Sequence, residues 1–390
     1  MVKRLFLLLL MFPAKIIFAQ VVDAGDPITI SSGLPIKLNG TYLGYTGIPI
    51  TAGDDPFVGP FDIGFEFVYF GETHTQFAVS PNGLVSFDVP NIIGVSHQEV
   101  TLIPNNIFIK TIMGPYQDLF SKPIQPHNEF IYYQTVGTAP ERKLIVGWCE
   151  APMFGCPSLT VTYQIVLFES GDSIVNHILA KPECAYLQNR ATHGLNFNDD
   201  LGVVVPGRNG ASWSSANESW SFLPDGTDNY TISSKVFNPE PIVPVGKLEW
   251  AWYKNNYPGG ELLGNESSLP VHPTESTTYY AEVTLCNGMK YVDDVSVKVI
   301  PIPNAFNPNS PSEMNRTFQF FSSPTDNIYK FKMYIYNRWG QLVYENENIS
   351  EGWDGTQNGN PCNPGVYVWV VYYEAESGEV TNKGSVILIR

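Results

Sequence analysis

Along most of the chain apolar positions recur at every second residue in short runs, separated by clusters of Gly, Pro, Asn and Asp. A period of two is that of a strand with one face covered, and helical periodicity is nearly absent. In residues 63–70 Phe65, Phe67 and Tyr69 alternate, and Gly71-Glu72-Thr73 then makes a turn. Runs 75–79 and 84–87 flank Ser80-Pro81-Asn82-Gly83, where Asn-Gly favours a tight hairpin. Runs 143–148, 160–168 and 173–179 continue the series. Such a block needs two packed sheets to cover its apolar faces. In a second block Leu248-Glu249-Trp250-Ala251-Trp252 puts both tryptophans on one face, and runs 277–285 and 291–299 flank a Cys286-Asn287-Gly288 turn. The size is that of a small immunoglobulin-like sandwich, with Trp250 or Trp252 as core plug.

In a third block Phe331, Met333 and Ile335 share one strand face, and Lys332, Tyr334 and Tyr336 the other. Run 366–373 is apolar on both faces and predicts a central strand; Glu376-Ser377-Gly378-Glu379 predicts a hairpin turn, and 384–389 the last strand. The fold class expected is all-β, as tandem antiparallel β-sandwich domains. They divide into a large N-terminal sandwich at 20–237, an Ig-like middle domain at 241–300 and an Ig-like C-terminal domain at 302–390. Between the first two, Phe-Asn-Pro-Glu-Pro-Ile-Val-Pro-Val-Gly is Pro-rich and reads as a stiff linker.

Composition narrows the class. Only 15% of the 390 residues are charged, which argues against long disordered tails. A net charge of −16 disfavours nucleic acid and anionic membrane surfaces. Lys3 and Arg4, a short apolar core at 5–12 and Ala19 read as a secretory signal peptide, residues 1–19, cleaved before Gln20. Export makes disulfides permissible. The cysteines Cys149, Cys156, Cys184, Cys286 and Cys362 are odd in number, so at least one is free or pairs between chains.

Catalytic signatures are missing: there is no G-x-S-x-G elbow, H-E-x-x-H, P-loop or dinucleotide fingerprint. His74, His97, His127, His177, His193 and His272 are scattered, none at i, i+2 or i+4 from another. Carboxylates cluster at Asp54-Asp55, Asp199-Asp200 and Asp225…Asp228; calcium needs six to eight oxygens, and such clusters are more often solvated turns. No cofactor is expected, with calcium kept as the alternative. Asn-x-Ser/Thr triplets such as those beginning at Asn217, Asn229, Asn265 and Asn315 are treated as chance.

The third block closely resembles the gliding motility-associated C-terminal domain, the type B sorting domain of the type IX secretion system. The resemblance rests on Pro303-Asn304-Ala305-Phe306-Asn307-Pro308-Asn309, YKFKMYIYNRWGQLVYE, GWDGT, NPGVYVWVVYY and KGSVILIR, in order. One segment departs from it: where the family has a Gly-Asp-Gly-rich acidic loop, this chain has Ser310–Phe318 with Glu313 as its only acid. That puts cation binding by the loop in doubt. The resemblance implies that the block is an address read by the secretion machinery, with Arg338, Trp339, Gly340, Trp353, Asp354, Gly355 and Arg390 as recognition residues. Large aromatics in turns make a rigid exposed surface at little entropic cost, while Trp339 and Trp353 could equally fold back and plug the sandwich. Asp354 can close an Asx-turn at Gly355, and Arg338 can stack on either ring.

The first block is similar to nidogen-like β-rich ectodomains through FEFVYFGETHTQFAVSPNGLVSF, ERKLIVGWCEAPMFGC, TYQIVLFESGDSIVNHILAKPEC and PGRNGASWSSANESWSFLPDG. That resemblance implies a Cys156–Cys184 disulfide, worth roughly 3 kcal/mol in the chain-entropy model, with Cys149–Cys156 as the alternative pairing. The middle block resembles the immunoglobulin-like repeats that precede such sorting domains. Together the resemblances imply a non-enzymatic protein of a Gram-negative bacterium, delivered through periplasm and outer membrane to the cell surface or medium. Its implied partners are the type IX translocon with its outer-membrane barrel shuttle, a PorP/SprF-like outer-membrane protein and an unknown surface ligand. A secreted hydrolase, a carbohydrate-binding protein or a structural subunit of a surface assembly are the alternatives.

Overall fold

The computed structural model describes residues 20–97, 99–119, 130–226, 228–321, 328–375 and 378–390. The expected signal peptide, His127, Thr227 and the hairpin tip at 376–377 lie outside the described residues. Strands dominate, in several separate sheets, so the chain is all-β with multiple sheet domains. No helix among the described residues is long and apolar enough to cross a membrane.

The chain divides into two compact units. The larger comprises Gly44–Trp250 and Val283–Lys290; the composite unit comprises the described residues up to Leu43, Ala251–Glu282 and Tyr291–Arg390.

The larger unit has two sheets. One runs in the order Tyr230–Lys235, Ser215–Pro224, Ile174–Lys181, Cys156–Phe168, Lys143–Met153, Ile131–Val136, Tyr45–Pro49 and Ile242–Pro244. The other runs Gly202–Val204, Arg190–Asn196, Thr111–Tyr116, Leu84–Ser86, Glu72–Ser80 and Val58–Tyr69, with Ala211–Ser212 beside Arg190–Asn196. Phe67, Phe77 and Val85 from the second sheet share one core with Leu144, Val146 and Ile165 from the first. Trp148 stacks on Tyr163 at 4.6 Å and donates its indole N–H to the Pro81 carbonyl at 2.9 Å. That bond pins the Ser80–Gly83 turn, and Gly83 has a physical reason to be glycine. Its φ is +93°, and a Cβ there would lie 2.6 Å from the Tyr163 hydroxyl.

Two expectations fail at the edges of this unit. The Pro-rich stretch after Phe237 is not a free linker. Ile242–Pro244 is a buried edge strand, parallel to Tyr45–Pro49, and Glu240 exchanges hydrogen bonds with the Gln164 side chain. A proline is tolerated there because the strand has a neighbour on one side only. The first strands of the block placed at 20–237 also pair elsewhere. Ile28–Ser31 lies parallel to residues 297–300, and Ile36–Asn39 pairs with Ser268–Val271.

A middle sheet therefore joins one strand from the start of the described chain to strands between residues 249 and 300. The order is Ile28–Ser31, Met289–Ile300, Thr277–Leu285, Glu249–Lys254 and Glu261–Gly264. Trp252 is fully buried beneath it, its N–H given to the Glu266 carbonyl, while Trp250 is only partly covered. The C-terminal sheet runs Ala305–Phe306, Gly378–Leu388, Gly365–Ala375, Ile328–Tyr336 and Leu342–Asn346. Its inner face carries Phe331, Met333, Ile335, Trp369 and Val371, covered by Phe318, Phe320 and Trp353 from loops and by Phe306 from the edge strand. Gly365–Ala375 is central, but its outward residues Val366, Val368 and Tyr372 remain exposed.

Candidate functional site

The two turn tryptophans have opposite fates. Trp353 is fully buried, 4.7 Å from Tyr367 and 5.2 Å from Phe306. Its backbone exchanges both hydrogen bonds with Phe318, and its indole N–H reaches the Thr356 carbonyl at 2.8 Å. The flanking glycines follow from that insertion. A Cβ on Gly352 would meet the Phe318 carbonyl oxygen at 2.9 Å, and one on Gly355, at φ +79°, would meet Leu388 at 2.9 Å. Asp354 Oδ1 accepts the Thr356 N–H, so the Asx-turn spans Gly355. Arg390 closes the same turn by donating to the Gly355 carbonyl.

Trp339, in contrast, is 76% exposed. Arg338 lies over its ring at 5.1 Å. The turn beneath is rigid because the Asn337 side chain accepts the backbone N–H of Trp339 at 2.9 Å and of Gln341 at 3.1 Å. Gly340, at φ +77°, supplies the left-handed step. Asn337 was missed by the sequence reading; an Asn two residues before the tryptophan was the available signal.

Two clefts meet at this turn. One, of about 320 Å³, lies between Trp339 and Pro364-Gly365-Val366. The other, of about 470 Å³, is lined by Asn358, Asn360, Asn363 and the free Cys362. Asn337 and Tyr367 border both, and Tyr367 also touches Trp353, so one side chain joins the exposed and buried tryptophan turns. A third groove, of about 500 Å³, crosses the outer sheet face over Lys330, Lys332, Tyr334, Tyr336 and Tyr372. In the segment that departs from the family loop, Arg316 folds over Ser310 and donates to its carbonyl at 2.8 Å. A guanidinium there opposes a metal cation.

In the larger unit, Cys156 and Cys184 form a disulfide, and Cys149 pairs with Cys286 rather than with Cys156. Lys181 is fully buried, donating to the Trp213 carbonyl and Asn189 Oδ1; burial, then Arg208, lowers its pKa to about 8. Arg208 lies 4.1 Å over Trp213 and pairs with Glu218 at 2.7 Å. These residues of the PGRNGASWSSANESW stretch brace one another. Near the Ser80–Gly83 turn, burial followed by Asp55 and Asp54 raises Asp118 to about 6. Asp200 and Asp225 sit in backbone turns. Among the described residues no three His, Cys, Asp or Glu side chains are grouped to hold a metal.

The buried histidines make an acid-lability prediction. Burial, then Arg208, lowers His193 to about 3; burial, then Lys235 and Lys143, lowers His177 to about 4. Both pKa values fall below the unfolded 6.5, so the unfolded chain binds protons first. Stability is intact above pH 6.5 and lost as pH drops below it, each histidine costing on the order of 3 kcal/mol by pH 3. Asp118, raised in the fold, works in the opposite sense between about pH 6 and 4. Denaturant midpoints measured from pH 7 to 4 should fall, and His177→Gln should flatten the slope. An unchanged slope would assign the loss to other groups.

Comparison with known families bears on the two ends of this architecture. Residues 37–233, just over half the chain, match the NIDO related family, and residues 300–388 match the CHU_C Type IX secretion signal domain. No curated protein matches the chain. The secretion signal implies contact with the type IX machinery and export across the outer membrane, and the two disulfides fit an extracytoplasmic place. Both matches fall on sheet domains described above, and the chain belongs to the NIDO-related family, exported under a C-terminal type IX secretion signal.

Proposed function

We propose that the Trp339 turn and the outward sheet face beside it are the part of the signal domain that the secretion machinery reads, with a PorP/SprF-like outer-membrane protein among the readers. The observation that carries this is the contrast between the two tryptophans. Trp353 is spent on the core, whereas Trp339 is held out on a turn that Asn337 makes rigid. A rigid, exposed Trp with a stacked Arg loses little entropy on docking and is the residue pair most often dominant at interfaces. The outward strand residues Val366, Val368 and Tyr372 extend the same surface.

The larger unit is then the effector, a non-enzymatic binding module without a cofactor, serving adhesion or surface attachment linked to gliding. What supports this is where its perturbed groups lie: His193 and Lys181 are sealed in the interior, out of reach of a substrate. Asp118, half-buried beside Asp55, is the group on which a hydrolase reading would rest; glycan turnover abolished by Asp118→Asn would replace the binding-module reading.

Deleting residues 302–390 in the native host should leave the protein in the periplasm, with surface and medium signal lost on fractionation. Trp339→Ala should weaken recognition by about 2 kcal/mol, roughly thirty-fold, while the protein still folds. Normal surface delivery of the deletion would sink the address; normal delivery of Trp339→Ala alone would move the contact elsewhere on the domain.

A further inference from the structure

We infer that the signal domain is not a detachable tail: the N-terminal segment Ile28–Gly33 clamps it to the middle sheet, so that a cut in the connection at 301–303 does not release it. The segment enters as a strand parallel to residues 297–300, and the Ser32 N–H continues the ladder to the Ile300 carbonyl at 2.9 Å. One residue earlier the chain turns its polar groups to the other side. The Ser31 N–H donates to the Phe321 carbonyl at 2.8 Å, and the Phe321 N–H donates back to Ser31 Oγ at 2.8 Å. Ser31 is completely buried. Gly33 then accepts a hydrogen bond from the Tyr373 hydroxyl at 3.2 Å, while its own N–H goes to the Pro273 carbonyl at 3.1 Å. Phe321 and Tyr373 belong to the signal domain, Ile300 and Pro273 to the middle sheet. Three consecutive residues near the start of the described chain thus bond to both.

The chemistry of the seam makes it cooperative. Ser31 and Phe321 satisfy each other's N–H groups, one through a backbone carbonyl and one through the Ser31 hydroxyl, with Ser31 fully buried and Phe321 partly so. Separating them costs those bonds and exposes Ser31. The strand Ile28–Ser31 is itself held by the middle sheet, with Ile28 and Ile30 buried, so the clamp is anchored at one end before it grips the other. The consequence for the exported molecule is that an endopeptidase acting on the connection alone leaves the signal domain bound. Release requires the N-terminal segment to be pulled out or removed as well.

The test uses purified full-length chain, so it stands apart from whether the domain is read as an address. A protease site placed within residues 301–303 is cut, and the product is run on a gel-filtration column at micromolar concentration. The cut wild-type chain should elute as one species. Ser31→Ala with Tyr373→Phe, which removes the Oγ acceptor and the hydroxyl donor, should release the C-terminal fragment at least tenfold more readily. Separation of the cut wild-type chain would overturn the inference, and so would a cut variant as tightly held as wild type. Should the variant fold poorly, amide exchange on the uncut wild-type chain decides. Slow exchange at Ser31 and Phe321 supports the clamp, and exchange as fast as in exposed loops refutes it.

Discussion

Replacing both Cys149 and Cys286 by serine should lower unfolding stability by up to about 5 kcal/mol, the larger of the two disulfide effects in this chain. In the chain-entropy model the benefit of a cross-link grows with the logarithm of the loop it closes. Cys149–Cys286 spans a sequence separation of 137 and Cys156–Cys184 one of 28. The same model gives roughly 3–3.5 kcal/mol for the shorter loop. Both sulfurs of the long link are sealed from water, Cys149 at 1% and Cys286 at 6% exposure, so serine hydroxyls would also be left in an apolar place. The double variant is the right one, because a single substitution leaves a thiol free to scramble with Cys184 or Cys362. Urea midpoints of the double variant and of Cys156→Ser/Cys184→Ser, both without reductant, provide the comparison. Equal losses would show that strain or residual unfolded-state structure outweighs loop closure.

That link was not legible in the sequence, and the reason is topological. Cys286 sits in a hairpin turn of the second sequence block, and nothing in an alternating pattern says which distant strand such a turn will meet. The same blindness affected Ile28–Ser31 and Ile242–Pro244. Each is a short apolar run whose partner is chosen by the three-dimensional path of the chain rather than by its neighbours. What could be read locally was read well. Alternation at residues 63–70 and the Asn82-Gly83 turn both follow from period and turn chemistry alone. Run 366–373 lies between the two readings. Its two apolar faces do mark a central strand, but one of them faces solvent, where an interaction surface and a buried layer have the same residue pattern.

The turn tryptophans bring that ambiguity down to single residues, and their substitution should separate folding from recognition. Trp353→Ala should cost about 3–5 kcal/mol, the range for a large aromatic lost from a core, and its indole N–H leaves the Thr356 carbonyl without a donor. The loss is local to the signal domain, because the ring contacts Phe306 and Tyr367 there. Trp339→Ala removes a ring that is 76% exposed, so its thermal midpoint should stay within the small range of surface substitutions, about 0.5 kcal/mol either way. Export should respond to both. Trp353→Ala would fail because the domain that carries the address no longer holds its shape, Trp339→Ala because the address has lost its contact. Thermal unfolding read alongside surface fractionation distinguishes the two causes. If Trp339→Ala destabilised the domain as much as Trp353→Ala, its ring would have to be packed rather than displayed, and the recognition surface would shift to the tyrosines of the outer sheet face.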